Sequence, residues 1–168
     1  MKKIAIVYSF NSTKSAKIAS KIASGIKNHK VEELNVESLK GEEFLSYDSY
    51  ILSVPTWFDG ELPNYWDEIL PALGKLTLTG KKIAIFGLGD QKNYPENFCD
   101  AVGILADFFE ELGATIIGFT SPEGYTFESS KALKNNLLKG LLLDQENQAK
   151  LSDDRILKWT KQLEIEFS

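Results

Sequence analysis

Three short stretches of the chain hold residues whose types and spacing suit ligand binding. The first is SFNSTKS at 9–15, where Ser9, Asn11, Ser12, Thr13 and Ser15 supply hydroxyl and amide groups and Lys14 a cation, immediately before a segment with helical spacing. A helix start presents unpaired backbone N–H groups and a partial positive charge, which together form an anion site. The same residue types also make a good N-cap, so this loop alone leaves a capped helix start and a phosphate site both open. It lacks glycine and matches neither GxGxxG nor GxxxxGK(S/T), which removes the support for dinucleotide-binding and P-loop readings.

The second stretch, PTWFDGELP at 55–63, sets Trp57 and Phe58 on a glycine-containing turn directly after an apolar run. Exposed aromatics at such a place suit a planar ligand, and Gly60 lets the neighbouring peptide take more than one orientation. The alternative is that one ring folds back onto the core. The third, GLGDQKNYPENFC at 87–99, brings Gly87, Gly89 and Asp90, then Tyr94 as a second flat face with a polar end. Two aromatics and a phosphate-type turn suit a phosphorylated, planar, largely apolar heterocycle, and flavin mononucleotide (FMN) has that shape.

The elements that would position these loops follow from the hydrophobic pattern. Apolar runs at 4–9, 31–36, 49–54, 81–89 and 114–120 alternate with helix-like segments at 13–27, 64–73 and 97–112. The runs are nearly continuous rather than alternating, as expected of parallel strands buried on both faces. In such a sheet a ligand sits outside the carboxyl ends of the strands, where the three loops fall. A last helix is expected over 153–167, with Ser152 or Asp153 as its N-cap. The segment before it is too long for an ordinary connection. Its GLLLD run reads as a strand that returns to complete the fifth strand of the sheet.

At 168 residues and 43% hydrophobic, the chain suits a single domain with one substantial core. A net charge of -5 argues against nucleic acid or an anionic membrane surface as partner. One cysteine and one histidine leave no transition-metal cluster, and the single thiol fits a reducing compartment. DQENQAKLSDDR at 144–155 fails as a calcium loop, with no glycine at the sixth position and Arg155 in place of the terminal glutamate. No apolar run approaches the roughly 18 residues of a membrane helix and no cleavage pattern follows the MKK start, so a cytoplasmic protein is expected. His29, with its polar flanks, is expected at the surface.

Taken together, PTWFDGELPNYWDEILP, FGLGDQKNYPENFCDAVGIL, GYTFESSKAL, KGLLLDQENQ and LSDDRILKW resemble the long-chain flavodoxins, in order and over essentially the whole chain. The resemblance implies a three-layer α/β/α doubly wound fold with a five-stranded parallel sheet in order 2-1-3-4-5. It also implies non-covalent FMN, one-electron transfer at low potential without catalytic residues, and a monomer that docks basic patches of a reductase and of acceptor redox enzymes. Residue by residue, it puts Ser9, Phe10, Asn11, Ser12, Thr13, Lys14 and Ser15 around the phosphate. Trp57 and Tyr94 cover the two ring faces, and Pro55, Thr56, Phe58, Asp59, Gly60, Gly89, Asp90, Asn97, Phe98 and Cys99 complete the cofactor site. Cys99 is then a backbone contact rather than a redox thiol. The chain departs from the family's T/S-x-T-G-x-T loop, since Phe10 replaces a hydroxyl and Thr13 the glycine, and a β-branched residue at positive φ would be strained by about 1–3 kcal/mol. Two other readings are a quinone reductase fed by NAD(P)H and a binding module that has lost FMN.

Overall fold

A computed structural model describes residues 2–168. Five strands, β1 (Lys3–Tyr8), β2 (Lys30–Asn35), β3 (Ser49–Pro55), β4 (Lys82–Leu88) and β5 (Thr115–Ile117), form a parallel sheet in the order β2-β1-β3-β4-β5. Helices α1 (Thr13–Gly25), α2 (Asn64–Leu73), α3 (Asp100–Glu111) and α4 (Ala149–Glu166) cover its faces, and a short 3-10 helix spans Gly41–Ser46. Order reverses between β1 and β3, which sets the switch point at their carboxyl ends.

The continuous apolar runs are explained by the two faces they serve. Along β1, Ile4, Ile6 and Tyr8 pack with Ile18, Ile22, Trp159 and Leu163 of α1 and α4. Ala5 and Val7 point the other way, into the layer with Trp66, Ile69, Leu105 and Phe109 of α2 and α3. In β3 Tyr50, Leu52 and Val54 take the second face and Ile51 the first. A strand alternates its side chains, so two buried faces require an apolar residue at nearly every position.

The fifth strand is interrupted. Thr115–Ile117 pairs with the first half of β4, from Lys82↔Thr115 to Ala84↔Ile117. Another strand, Leu141–Leu143, takes up the second half, from Phe86↔Leu141 to Leu88↔Leu143. The intervening chain folds out into an antiparallel pair, β6 (Leu133–Lys134) and β7 (Leu137–Leu138), turned by Asn135 and Asn136 at φ 54° and 63°. The strand Leu141–Leu143 is thus β8. The excursion is held down at three places. Lys131 N–H donates to Asp100 Oδ1 at 2.8 Å, and Lys139 Nζ pairs with Asp107 at 3.2 Å and Glu110 at 2.5 Å. At Gly103 a Cβ would lie 2.1 Å from the Lys131 carbonyl oxygen, so only glycine permits this approach.

Two expectations need correction. Helix α4 begins at Ala149, not after Ser152: Ser152 lies in the first turn and its hydroxyl donates to Gln145 Oε1, so its cap-like chemistry serves a turn inside the helix. His29 is half-buried; its Nδ1 accepts Lys2 N–H at 3.1 Å and its ring meets Phe167 edge-on at 6.3 Å. Among the described residues no helix is long and apolar enough to cross a membrane, and no group of three or more His, Cys, Asp or Glu side chains could hold a metal.

Candidate functional site

The carboxyl ends of β1, β3, β4 and β8 open onto one cleft of about 440 Å³. Ser12, Thr13 and Lys14 line one part of it, Pro55, Thr56 and Trp57 another, and Leu88, Gly89, Asp90 and Tyr94 a third. Gln145 and Glu146, just beyond β8, complete it.

The first loop is both capped and open to an anion. Ser12 is the N-cap of α1, its hydroxyl accepting Ser15 N–H at 3.3 Å. Ser12 N–H turns back to the Ser9 carbonyl at 3.1 Å, and Phe10 N–H donates to Asn35 Oδ1 at 3.2 Å. The N–H groups of Asn11, Thr13 and Lys14 have no partner among the described residues. Ser15 Oγ is buried and also lacks a partner, and such a hydroxyl in a native interior calls for a ligand or water. Thr13 is the first residue of α1, and none of residues 9–15 has positive φ. Thr13 therefore carries none of the strain that a β-branched residue would have at positive φ.

Not every residue of this stretch faces the cleft. The Ser9 hydroxyl, buried, donates to Glu37 Oε2, and Asn11 Nδ2 donates to the same oxygen at 3.0 Å. Phe10 lies outward, 49% exposed, with its ring 4.9 Å from that of Tyr8. Lys14 Nζ reaches across to Glu146 at 2.7 Å, so the cation is committed to a carboxylate on the opposite lip.

At the second loop, Trp57 and Glu61 exchange two backbone hydrogen bonds of 2.8 Å, pinching off a turn with Phe58 at φ 49° and Gly60 at φ 89°. Trp57 stands against Tyr65 and Phe58 in edge contacts with centroids 5.8 and 6.4 Å away, leaving the indole 37% exposed. Thr56 Oγ1 accepts Ala101 N–H at 3.1 Å, which joins this loop to the start of α3. Phe58 projects away from the core, 72% exposed, and neither it nor Asp59 or Gly60 lines the cleft.

In the third loop Asp90 organises its own turn. Its Oδ1 accepts Asn93 N–H at 3.0 Å and Asn147 Nδ2 at 2.8 Å, and its Oδ2 accepts Asn93 Nδ2 at 2.7 Å. Slight burial pushes the pKa of this carboxyl up, but the hydrogen bonds from Asn93, Asn147 and the Lys92 N–H outweigh it and hold it below the ordinary range. Beneath the loop, the fully buried Asp144 accepts Gln91 N–H at 3.1 Å and Gln91 Nε2 at 2.8 Å, and Gln91 in turn accepts Thr126 N–H. Tyr94 remains 47% exposed beside the cleft. Asn97, Phe98 and Cys99 lie behind the loop: Phe98 and Cys99 are fully buried, and a Cβ at Gly89 would come within 2.9 Å of both. Burial pushes the Cys99 thiol well above its usual range, with Asp144 and Asp100 adding to the effect, so it stays protonated and unreactive.

Leu88, Gln145 and Glu146 line the cleft without having been singled out in the sequence. The signal for the last two was present, because they follow the carboxyl end of a strand, GLLLD, as the other lining loops do. Glu37 gave no such signal, since its contact to Ser9 spans 28 residues.

A doubly wound parallel sheet whose switch-point cleft has an open helix start on one lip and two partly exposed aromatic rings on others defines a nucleotide-type cofactor protein. The chain matches the flavodoxin family model over residues 6–159. A flavodoxin of Trichodesmium erythraeum is 41% identical over 169 residues, covering 99% of each chain, and one of Nostoc sp. is 38% identical over 166 residues, covering 99% and 98%. Among solved structures, Fusobacterium nucleatum flavodoxin bound to flavin mononucleotide superposes with a TM-score of 0.93 at 32% identity over 100% of both chains. The chain belongs to the flavodoxin family.

Proposed function

We propose that this chain binds FMN non-covalently in the switch-point cleft and carries electrons one at a time between redox proteins. The observation that carries the reading is the pairing, in one cleft, of an α1 start, with Ser12, Thr13 and Lys14 on its wall and the N–H groups of Thr13 and Lys14 unpartnered, with the rings of Trp57 and Tyr94. The residues fit the cofactor. The N–H groups of Asn11, Thr13 and Lys14 and the Ser15 hydroxyl would hold the phosphate, needing no cation because the helix start supplies the positive potential. Trp57 and Tyr94 would shelter the ring faces, and the backbone of Trp57 and of Gly89 to Asp90 its polar edge.

When bound, FMN supplies the one-electron chemistry, and the chain binds, orients and tunes. Asp90 and Glu146 on the cleft wall, with Asp59 and Glu61 on the adjoining loop, oppose any added negative charge there and so favour a low potential. Gly60 leaves the turn of residues 57–61 free to reorient a peptide toward the ring edge. We further place the chain in the cytoplasm as a one-domain monomer, docking by its net charge of -5 to basic patches on its donor and acceptors, with salt-sensitive association.

The test is to purify the chain with its cofactor and reduce it stepwise. One FMN per chain, two separate one-electron steps, and no steady-state turnover with NADPH and a quinone alone support the carrier. A colourless protein that does not take up FMN, or turnover with NADPH and quinone alone, would overturn it.

A further inference from the structure

The loop that starts α1 has a carboxylate built against it. Glu37 lies just past the end of β2, and its own N–H donates to Asn35 Oδ1 at 3.2 Å, the oxygen that also takes Phe10 N–H. From that anchor its Oε2 takes the Ser9 hydroxyl and, at 3.0 Å, Asn11 Nδ2. Two side-chain donors of a loop that offers itself to an anion are thus already spent on an internal one. Glu37 forms no ion pair among the described residues, and the nearest cation of the loop, Lys14, is engaged with Glu146. The loop is therefore flanked by two carboxylates and has no uncommitted cation of its own.

We infer that Glu37 is a specificity-determining residue: its carboxylate occupies Ser9 and Asn11 and opposes the charge of a bound phosphate, lowering the preference of the site for a phosphorylated flavin over its unphosphorylated parent. This rests on the FMN reading above. The donors left to the phosphate are the backbone N–H groups, the Ser12 and Thr13 hydroxyls on the cleft wall, and Ser15, and Glu37 is hydrogen-bonded to Asn11, the residue just before the Ser12 N-cap. Like charges held at the same short loop at a partly exposed site repel enough to change an equilibrium severalfold, and a phosphate carries nearly two charges. Because Glu37 is exposed, that repulsion is screened by salt, which a purely structural role of the residue would not be.

The experiment compares FMN and riboflavin binding to the full-length apoprotein of wild type, Glu37→Gln, Glu37→Asp and Glu37→Ala, by quenching of flavin fluorescence at low and high ionic strength. Glu37→Gln keeps an acceptor for Ser9 and loses the charge, and should tighten FMN roughly tenfold at low salt while moving riboflavin less than twofold. The gain should shrink at high salt. Glu37→Asp, which keeps the charge, should retain the wild-type preference, and Glu37→Ala should show at least the gain of the glutamine variant. An FMN-to-riboflavin ratio unchanged in Glu37→Gln, a gain insensitive to salt, or parallel weakening of both flavins would overturn the inference. If Glu37→Ala does not fold, the glutamine variant still decides. Failure of wild type to bind FMN would instead sink the cofactor reading itself.

Discussion

Replacing Ser15 by alanine should have opposite effects on the empty and the loaded protein. In the structure Ser15 lies in the first turn of α1, 1% exposed, and its Oγ has no partner. A buried hydroxyl without a hydrogen bond costs on the order of 1–3 kcal/mol, and serine is also a poorer helix former than alanine. Ser15→Ala should therefore leave the apoprotein equally stable or about 1 kcal/mol more stable in urea unfolding. With FMN the hydroxyl acquires a charged acceptor, a bond of about 1.5–3 kcal/mol, so its removal should weaken FMN by roughly 10- to 150-fold. Riboflavin, lacking the phosphate, should bind the variant as it binds wild type. The assay is fluorescence titration of apoprotein with both flavins, alongside urea melts of the apoprotein. Equal losses for FMN and riboflavin would mean that the hydroxyl acts elsewhere in the fold. A clear loss of apoprotein stability would mean that it is already satisfied and that its orphaned state has been misjudged.

Lys14→Ala should weaken FMN less than fivefold, because the side chain is 67% exposed and paired with Glu146, and exposed pairs are worth about 0–1 kcal/mol; titration at two salt concentrations checks this. Gly103→Ala should destabilise the protein by about 1–3 kcal/mol in urea unfolding, since the new methyl meets the Lys131 carbonyl and must push the insertion off α3. For Asp100, burial raises the carboxyl above its ordinary value, only partly offset by the Lys131 N–H. A carboxyl raised in the folded state disfavours folding once ionised, so stability from this group improves as pH falls from neutral through its folded pKa toward the unfolded value near 4. Asp100→Asn should therefore raise the apoprotein Tm at pH 7 and remove that part of the pH dependence, read from thermal melts between pH 4 and 7.

The strands were legible because a sheet buried on both faces demands an apolar residue at almost every position, and 4–9, 49–54 and 81–89 meet that demand. The split fifth strand was legible too, since GLLLD reads as a strand after an overlong connection, and in the structure it pairs with the half of β4 that β5 leaves open. The start of α4 was not. Ser152 has the chemistry of a cap, but its hydroxyl turns back to Gln145 from inside the helix, a choice made by the docking of the 144–147 turn. Within the site, the lining roles of Trp57, Asp90 and Tyr94 followed from loops placed at strand ends. The split of SFNSTKS did not. Ser12, Thr13 and Lys14 line the cleft while Ser9 and Asn11 hydrogen-bond to Glu37, just past the end of β2. Nothing local in the sequence marks Glu37 as a partner of that loop.

The phosphate end of the cleft distinguishes FMN from riboflavin, and titrating the wild-type apoprotein with both flavins tests this most directly. Quenched flavin fluorescence at one FMN per chain and a dissociation constant for FMN at least tenfold below that for riboflavin are expected. Equal affinity for the two flavins, or no binding of FMN, would contradict it.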